Sequence, residues 1–348
     1  MEKPILVRST CEAAVRDQTT TVECRAASTA EATNSKDILH GGWLDSARRS
    51  LQCSGLTDGA STMILNSIRD STKKQYTSYI NRFLAYIDCD VFNISHSNVI
   101  NFLQYLFADG LSYSVINTAA SAVKFYLEIV GHRIEWTLIE RYKKGCFNVR
   151  PSLPRHTDIW DPDIVLSYLA KNASCVELPF LTKKCVTLLA LVSSQRVSTI
   201  HSIGFSDVSF TESKVSIAVT SLQKQSRPGF HQGVLTFEAY EDSALCIVAS
   251  LRQYLAATSA FRGCSQCTAL FLTYGKPVKN ASKDSISRWI KDMIHTAGVP
   301  SVFTAHSTRA ASVSKKFRDG IDVMTILKHA GWSTSCSFHK FYNKNLLN

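Results

Sequence analysis

The sequence predicts a mainly α-helical protein with one small antiparallel β-sheet, organised as a helical first domain followed by an α+β second domain. Three observations predict it. Apolar residues recur at steps of three and four through most of residues 60–145, the spacing of one helix face. A basic connector with two prolines, RPSLPRHTD, interrupts that pattern. Beyond it the apolar period switches to two around 215–219 and 234–237 before helical spacing returns. At 348 residues the chain is too long for one typical core, and 45% apolar with 19% charged residues is the composition of a folded protein. Two domains and a tail follow from that.

Residues 1–42 are rich in Thr, Ser, Ala and Glu with no sustained apolar period, so they bury too little surface to offset their ordering entropy and are expected to form a disordered tail. A helical domain is expected over 43–150. Its opening, 43–68, is a mixed stretch with room for one or two short helices. Tyr76, Tyr79, Ile80, Phe83 and Ile87 then mark a helix whose N-cap is expected at Ser71 or Thr72. Val99, Phe102, Leu103, Leu106 and Phe107 mark a second, after Ser95 or Ser97 and ended by Gly110. Ile116, Ala119, Val123, Tyr126 and Val130 mark a third, closed by Gly131. Lys73, Lys74, Arg82, Lys143 and Lys144 line the polar sides of this region. A solvated helix face accounts for most such charges, with a subset left as candidate phosphate contacts.

Residues 151–158 form the extended connector, and the second domain is expected over 159–348. It opens with a well-signalled helix, Asp161 as N-cap and Pro162 at the first helical position. A buried helix over 186–192 follows. The two period-two stretches then read as a β-hairpin with the long basic tip QKQSRPGFHQG, which carries Lys224 and Arg227. Helical spacing returns at Leu245–Leu255 and Ile286–Met293, and the last fifty residues read as helical and dense in polar side chains.

The formal charge is +11, from 39 Lys and Arg against 28 Asp and Glu, which suits a polyanionic partner, nucleic acid first. The start MEKPILVRSTCEAAVRDQ lacks the apolar stretch of a signal peptide, and no later run approaches the ~20 residues of a membrane span. A soluble intracellular protein with no membrane contact is expected. The 11 cysteines read as free thiols, and Cys264-x-x-Cys267 has no second ligand pair to complete a tetrahedral site, so no metal is expected. Phosphate-cradling, dinucleotide-binding, zinc-protease and serine-hydrolase signatures are all missing, as is an acidic cluster suited to two-metal chemistry. Phosphate chemistry here would have to use cationic side chains.

Such side chains are present. His306 and Arg309 lie three apart, one helical turn, in AHSTRAAS, and Trp332 and Tyr342 follow. Arg196 closes the apolar run LLALVSSQR, where a guanidinium needs either a carboxylate partner or a bound anion. Each of these residues alone is unremarkable; their order is not.

The series Arg196, Lys224, His306-x-x-Arg309, Trp332, Tyr342 resembles that of the tyrosine recombinase and phage integrase family. The segments QKQSRPGFHQ, AHSTRAAS and AGWS…FY resemble most the recombinases of DIRS-like eukaryotic mobile elements. The likeness runs from about residue 45 to the end. It implies a helical core-binding domain followed by an α+β tyrosine-recombinase catalytic domain, and it implies cutting and rejoining of double-stranded DNA through a 3′-phosphotyrosine with no cofactor. Self-association as a tetramer on DNA, and a nuclear location if the source is eukaryotic, are implied with it. Residue types suit the implied chemistry. Two guanidinium forks match the charge that develops on the non-bridging oxygens of an attacked phosphodiester. A tyrosine phenol, with an ordinary pKa of about 10, is a weak nucleophile until its proton is removed. By resemblance, Tyr342 is that nucleophile, His306 a base or phosphate ligand, Lys224 the acid for the departing 5′-oxygen, and Trp332 a positioning group.

The sequence departs from the family pattern twice. Family members commonly place the tyrosine nine residues after the His or Trp position, whereas Tyr342 is ten after Trp332 (342 − 332) and Phe341 holds the ninth place. An acidic residue commonly stands three after the first arginine, where this chain has Thr199. A copy that binds DNA without cutting it, a topoisomerase of the same chemistry, and a helical interaction protein stay open as alternatives at this level. His329, the nearest other polar residue to Trp332, reads as a residue favoured by a helix C-terminal dipole.

Overall fold

A computed structural model describes residues 42–87, 94–152, 157–231, 233–262, 267–332, 338, 342 and 344–347. The expected tail up to residue 41, residues 153–156 of the connector, Cys264 and Phe341 lie outside the described residues. The chain divides into two compact units between residues 153 and 154.

The first unit is all helical: α1 (Gly42–Cys53), α2 (Asp58–Leu65), α3 (Asp70–Tyr86), α4 (His96–Ala108), α5 (Tyr113–Ile129) and α6 (Thr137–Val149). The stretch 43–68 thus supplies both of the short helices it had room for. Its core is the set of apolar faces read from spacing: Phe83, Val99, Phe102, Leu106, Ile116, Val123 and Tyr126 are all fully buried. Trp43 joins them, its indole donating to Thr77 Oγ1 at 2.8 Å. Helix α3 begins earlier than expected. Its N-cap is Arg69, whose carbonyl receives Thr72 N and Lys73 N, so Ser71 and Thr72 lie inside the first turn behind Asp70, an acidic residue suited to a helix start. At α4, Asn98 Oδ1 accepts from Ser95 N at 2.9 Å, which settles the cap on Ser95 rather than Ser97. Helix α6 was not foreseen, because only Ile139 and Cys146 of its 13 residues are buried and its apolar period is diluted.

The second unit holds β1 (Asp158–Trp160), α7 (Pro162–Lys171), α8 (Leu178–Ser193), α9 (Val197–His201), β2 (Val208–Phe210), β3 (Lys214–Ala218), β4 (Val234–Glu238), α10 (Ile247–Thr258), α11 (Lys283–Thr296), α12 (Ser307–Arg318), α13 (Val323–Ala330) and β5 (Asn345–Leu347). Asp161 caps α7 as expected, Oδ1 accepting from Asp163 N at 3.0 Å. Helix α8 is the hub, buried on nearly every side and packed by α10, α11 and α12. The expected hairpin is β3–β4, in register Val215↔Phe237 and Ile217↔Leu235, with β2 added antiparallel to β3. The mainly helical class with a small antiparallel sheet is therefore the observed one.

The chain end corrects the expectation of helix throughout the last fifty residues. α12 and α13 are helical, but Asn345–Leu347 forms β5 and pairs in parallel with β1, Ile159 opposite Leu346. A three-residue strand whose partner lies so far back leaves no local period to read. Among the described residues no helix is long and apolar enough to cross a membrane.

Because α8 presents Leu189 at 0% exposure to its neighbours, Leu189→Ala is expected to cost about 2–5 kcal/mol. Urea unfolding followed through second-unit probes should show it; a loss well under 1 kcal/mol would contradict the hub role.

Candidate active site

The site is built where α8 stops. Ser194 takes a left-handed conformation, φ 53° and ψ 24°, uncommon for a residue other than glycine, and it turns the chain so that Arg196 sits at the N-cap of α9. The half-buried Arg196 donates from Nη1 to Gln225 Oε1 at 3.4 Å. Gln225 belongs to the hairpin turn that carries Lys224. That turn is tied down by Gln223: its Oε1 accepts from Thr199 Oγ1 at 2.7 Å, and its Nε2 donates to Ser221 Oγ at 2.8 Å and Ser221 O at 3.0 Å. His231 braces the other side. With Val219 O as acceptor at 2.8 Å, Nε2 must carry the ring proton, so Nδ1 accepts from Ser226 Oγ at 2.9 Å. Lys224 itself is exposed at the tip of this braced turn.

The second arginine comes from α12. Arg309 is 2% exposed, and its fork is held by two backbone carbonyls: Nη1 donates to Ser194 O at 2.9 Å and Nη2 to Ala330 O at 2.8 Å. Its Nε is buried with no hydrogen-bond partner among the described residues. The guanidinium carbon lies 4.4 Å from the Trp332 ring centroid and 5.7 Å from that of Tyr342. The two rings meet at 4.6 Å, tilted by 43°.

Trp332 is placed by the end of α13. Gly331 adopts the left-handed conformation, φ 68°, that lets Trp332 N donate back to Leu327 O at 2.8 Å. Tyr342 is held by its backbone, N donating to Phe338 O at 2.9 Å and O accepting from Ser314 Oγ. Although the tyrosine stands ten residues after Trp332 rather than nine, its ring packs against Trp332 and near the Arg309 guanidinium.

The cluster is electropositive. Burial pulls the Arg309 pKa down to about 9, Arg196 adds to the effect, and the Tyr342 hydroxyl opposes it. The pKa of His306, at the N-cap of α12, is lowered by burial first and then by Arg309, Arg196 and Lys224. Burial and these three cations together favour its neutral, proton-accepting form. Of the six chemistry-bearing residues of the sequence series, Arg309, Trp332 and Tyr342 are in direct contact, and the charges of Arg309, Arg196 and Lys224 act on His306. His329 lies in the last turn of α13, but burial with Lys316 and Lys328 lowers its pKa, the reverse of the effect expected from the dipole. Sequence reading missed Ser194, Gln223 and Gln225; only the unusual SSQR and QKQ strings flagged their neighbourhood.

The basic residues read as phosphate contacts are scattered. Lys73, Arg82 and Lys143 face Asp70, Asp109 and Glu140 at 3.5, 3.8 and 2.8 Å, while Lys74 and Lys144 are exposed. Arg227 lies on the hairpin tip, its guanidinium carbon 5.6 Å from the Phe230 ring centroid.

Residues 58–136 match the profile of the phage integrase N-terminal SAM-like domain, and residues 171–347 match that of the phage integrase family. Several solved structures share the fold. XerH site-specific recombinase bound to palindromic difH substrate, in a post-cleavage complex, is 12% identical, with 86% of this chain and 92% of that one covered and a TM-score of 0.58. The Tn1549 transposon integrase in complex with transposon right end DNA is 13% identical over 86% and 94% of the two chains, TM-score 0.55. A lambda integrase dimer bound to a COC′ core site is 16% identical over 87% and 76%, TM-score 0.54. No curated protein matches.

With burial first and three cations after it lowering its pKa, His306 should titrate below 6.5 in the free protein. Arg196→Met removes one of those cations, so the midpoint should rise. Two-dimensional NMR of the imidazole across pH checks both; an unmoved midpoint would place Arg196 too far from His306 to share a ligand with it.

Proposed function

The chain belongs to the phage integrase family, and from that premise we propose that it cuts and rejoins DNA by transferring a backbone phosphate to Tyr342. The carrying observation is the packing of Tyr342 against Trp332 and near the guanidinium of Arg309, on which the charge of Arg196 also acts.

The geometry supports a division of labour. Arg309, fixed by two carbonyls, keeps donors in reserve for an anion, since a guanidinium has five N–H groups. With Arg196 it would hold the non-bridging oxygens of the scissile phosphate and stabilise the charge that grows there. The neutral imidazole of His306 takes the Tyr342 proton. The phenolic oxygen bonds to phosphorus as the bond from phosphorus to the 5′-oxygen breaks, and Lys224 gives that oxygen a proton. A 5′-hydroxyl from another strand reverses these steps, so the phosphotyrosine conserves the energy of the broken bond. Trp332 walls the site and sets the tyrosine ring.

Lys73, Lys74, Arg82, Lys143, Lys144 and Arg227 are the proposed phosphate contacts away from the reacting centre, giving affinity that falls with salt. The solved neighbours include a lambda integrase tetramer bound to a Holliday junction, at 16% identity and TM-score 0.50, and we propose tetrameric assembly on paired sites for this chain too. The segments QKQSRPGFHQ, AHSTRAAS and AGWS…FY support a relation to DIRS-like elements, for which the nucleus would be the working compartment.

The test is covalent capture. Duplexes of randomised sequence carrying a 5′-bridging phosphorothiolate, whose thiol leaving group does not rejoin, are incubated with the full chain and resolved in SDS. An adduct is expected with the native chain and none with Tyr342→Phe. An adduct that survives Tyr342→Phe assigns the nucleophile elsewhere; DNA retention with no adduct from the native chain makes this a binding protein.

A further inference from the structure

Helix α12 carries a stripe that the chemistry above does not exhaust. Arg309, Ser312 and Lys316 follow at steps of three and four, so one helix face presents all three to the C-terminal turn of α8. The last carbonyls of a helix have no partner inside it. Here they are met from α12: Ser312 Oγ donates to Leu191 O, and Lys316 Nζ donates to Val192 O at 2.7 Å. The Lys316 amine also reaches Ser194 Oγ at 3.0 Å, and Ser194 Oγ lies 2.7 Å from Ser312 Oγ. Because the Ser312 proton is committed to Leu191 O, the direction of the chain is set. Lys316 donates to Ser194, Ser194 to Ser312, and Ser312 to Leu191.

The adjacent lysine shows how unlike a surface charge this is. Lys315 faces Asp161, Asp163 and Asp319 at 3.8, 2.7 and 3.7 Å. Lys316 forms no such ion pair among the described residues, and burial alone draws its amine down to about 8. A part-buried amine without a carboxylate is unfavourable unless its bonds hold something in place. What it holds is Ser194, the one described residue other than glycine with positive φ, whose carbonyl fixes Arg309 and whose turn delivers Arg196.

We propose that Lys316 is a positioning residue for strand cleavage, locking the left-handed turn at Ser194 so that Arg196 and Arg309 converge on one phosphate. The inference rests on the phosphate-transfer reading of the site. Lys316 touches neither DNA nor Tyr342 in this role. It acts through Ser194, and its loss should spoil the geometry of the reaction rather than the affinity for DNA.

The full chain is compared with Lys316→Met, Lys316→Arg, Ser194→Gly and the Lys316→Met/Ser194→Gly double variant on duplexes recovered as native adducts. At saturating DNA, Lys316→Met should form adduct roughly ten- to a hundredfold more slowly while binding within about twofold of native, the cost of a small misplacement of reacting groups. Lys316→Arg, which keeps the donors, should recover most of the rate. The double variant should be no slower than the slower single one, because both break the same link. Hydrogen exchange of backbone amides over 191–197 should quicken in Lys316→Met and be restored in Lys316→Arg. Native rate and native exchange in Lys316→Met overturn the proposal, as do additive single effects or equal losses of binding and cleavage. Should Lys316→Met fail to fold, Ser194→Gly decides: a native cleavage rate there overturns it. If the native chain itself gives no adduct, the functional reading has failed, and the exchange data alone then settle whether Lys316 locks the turn.

Discussion

The second unit is organised around one buried guanidinium. Among the described residues no carboxylate neutralises Arg309, and an unpaired cation away from water is strongly unfavourable. The fold answers with the ends of two helices. Ser194 O lies at the C-cap of α8 and Ala330 O is the last carbonyl of α13, and both accept from Arg309. Helix C-termini carry partial negative charge, roughly half an elementary charge each. Two of them aimed at one guanidinium stabilise it without filling its remaining donors, as a carboxylate would. Trp332 and Tyr342, in contact with each other, set their ring quadrupoles against one side of the fork.

This arrangement explains why residues far apart in sequence depend on one another. Moving the C-terminus of α8 shifts both a ligand of Arg309 and the turn that aims Arg196. Moving the end of α13 shifts the other ligand together with Trp332. The bond from Gln195 Nε2 to His329 O, at 2.7 Å, ties these two helix ends directly. Ser314, five residues beyond Arg309 on α12, donates from Oγ to Tyr342 O and accepts from Lys344 N, so the nucleophile candidate is tethered to the helix that carries the guanidinium.

Much of this was legible in the sequence where physics acts locally. The core helices of the first unit follow the spacing of Phe83, Phe102, Leu106, Ile116 and Val123, and the β3–β4 hairpin follows the alternation of Val215, Ile217, Leu235 and Phe237. Arg196, His306, Arg309 and Tyr342 drew notice because a cation inside an apolar run, or a dense polar chain end, is unusual. What stayed hidden is what distant segments decide. β5 exists because β1 offers it an edge, and Leu346 and Leu347 carry no such instruction. The left-handed Ser194 looks like any other serine until Ser312 and Lys316 arrive from α12. Nor does the string QKQ show which glutamine faces Arg196 and which faces Thr199.

Thr199 is the departure from the family pattern that the geometry makes intelligible. An acidic side chain at that place would sit within a turn of Arg196 and lower the positive field that Arg196, Arg309 and Lys224 raise around His306. Threonine instead donates to Gln223, and through that amide the start of α9 is joined to the turn presenting Lys224. Gln225, two residues on, accepts from Arg196. Arginine and lysine are thereby referenced to each other through neutral hydrogen bonds rather than through a shared carboxylate. The cationic site keeps its full charge for a phosphate, and its alignment comes to depend on bonds that salt screens far less than ion pairs.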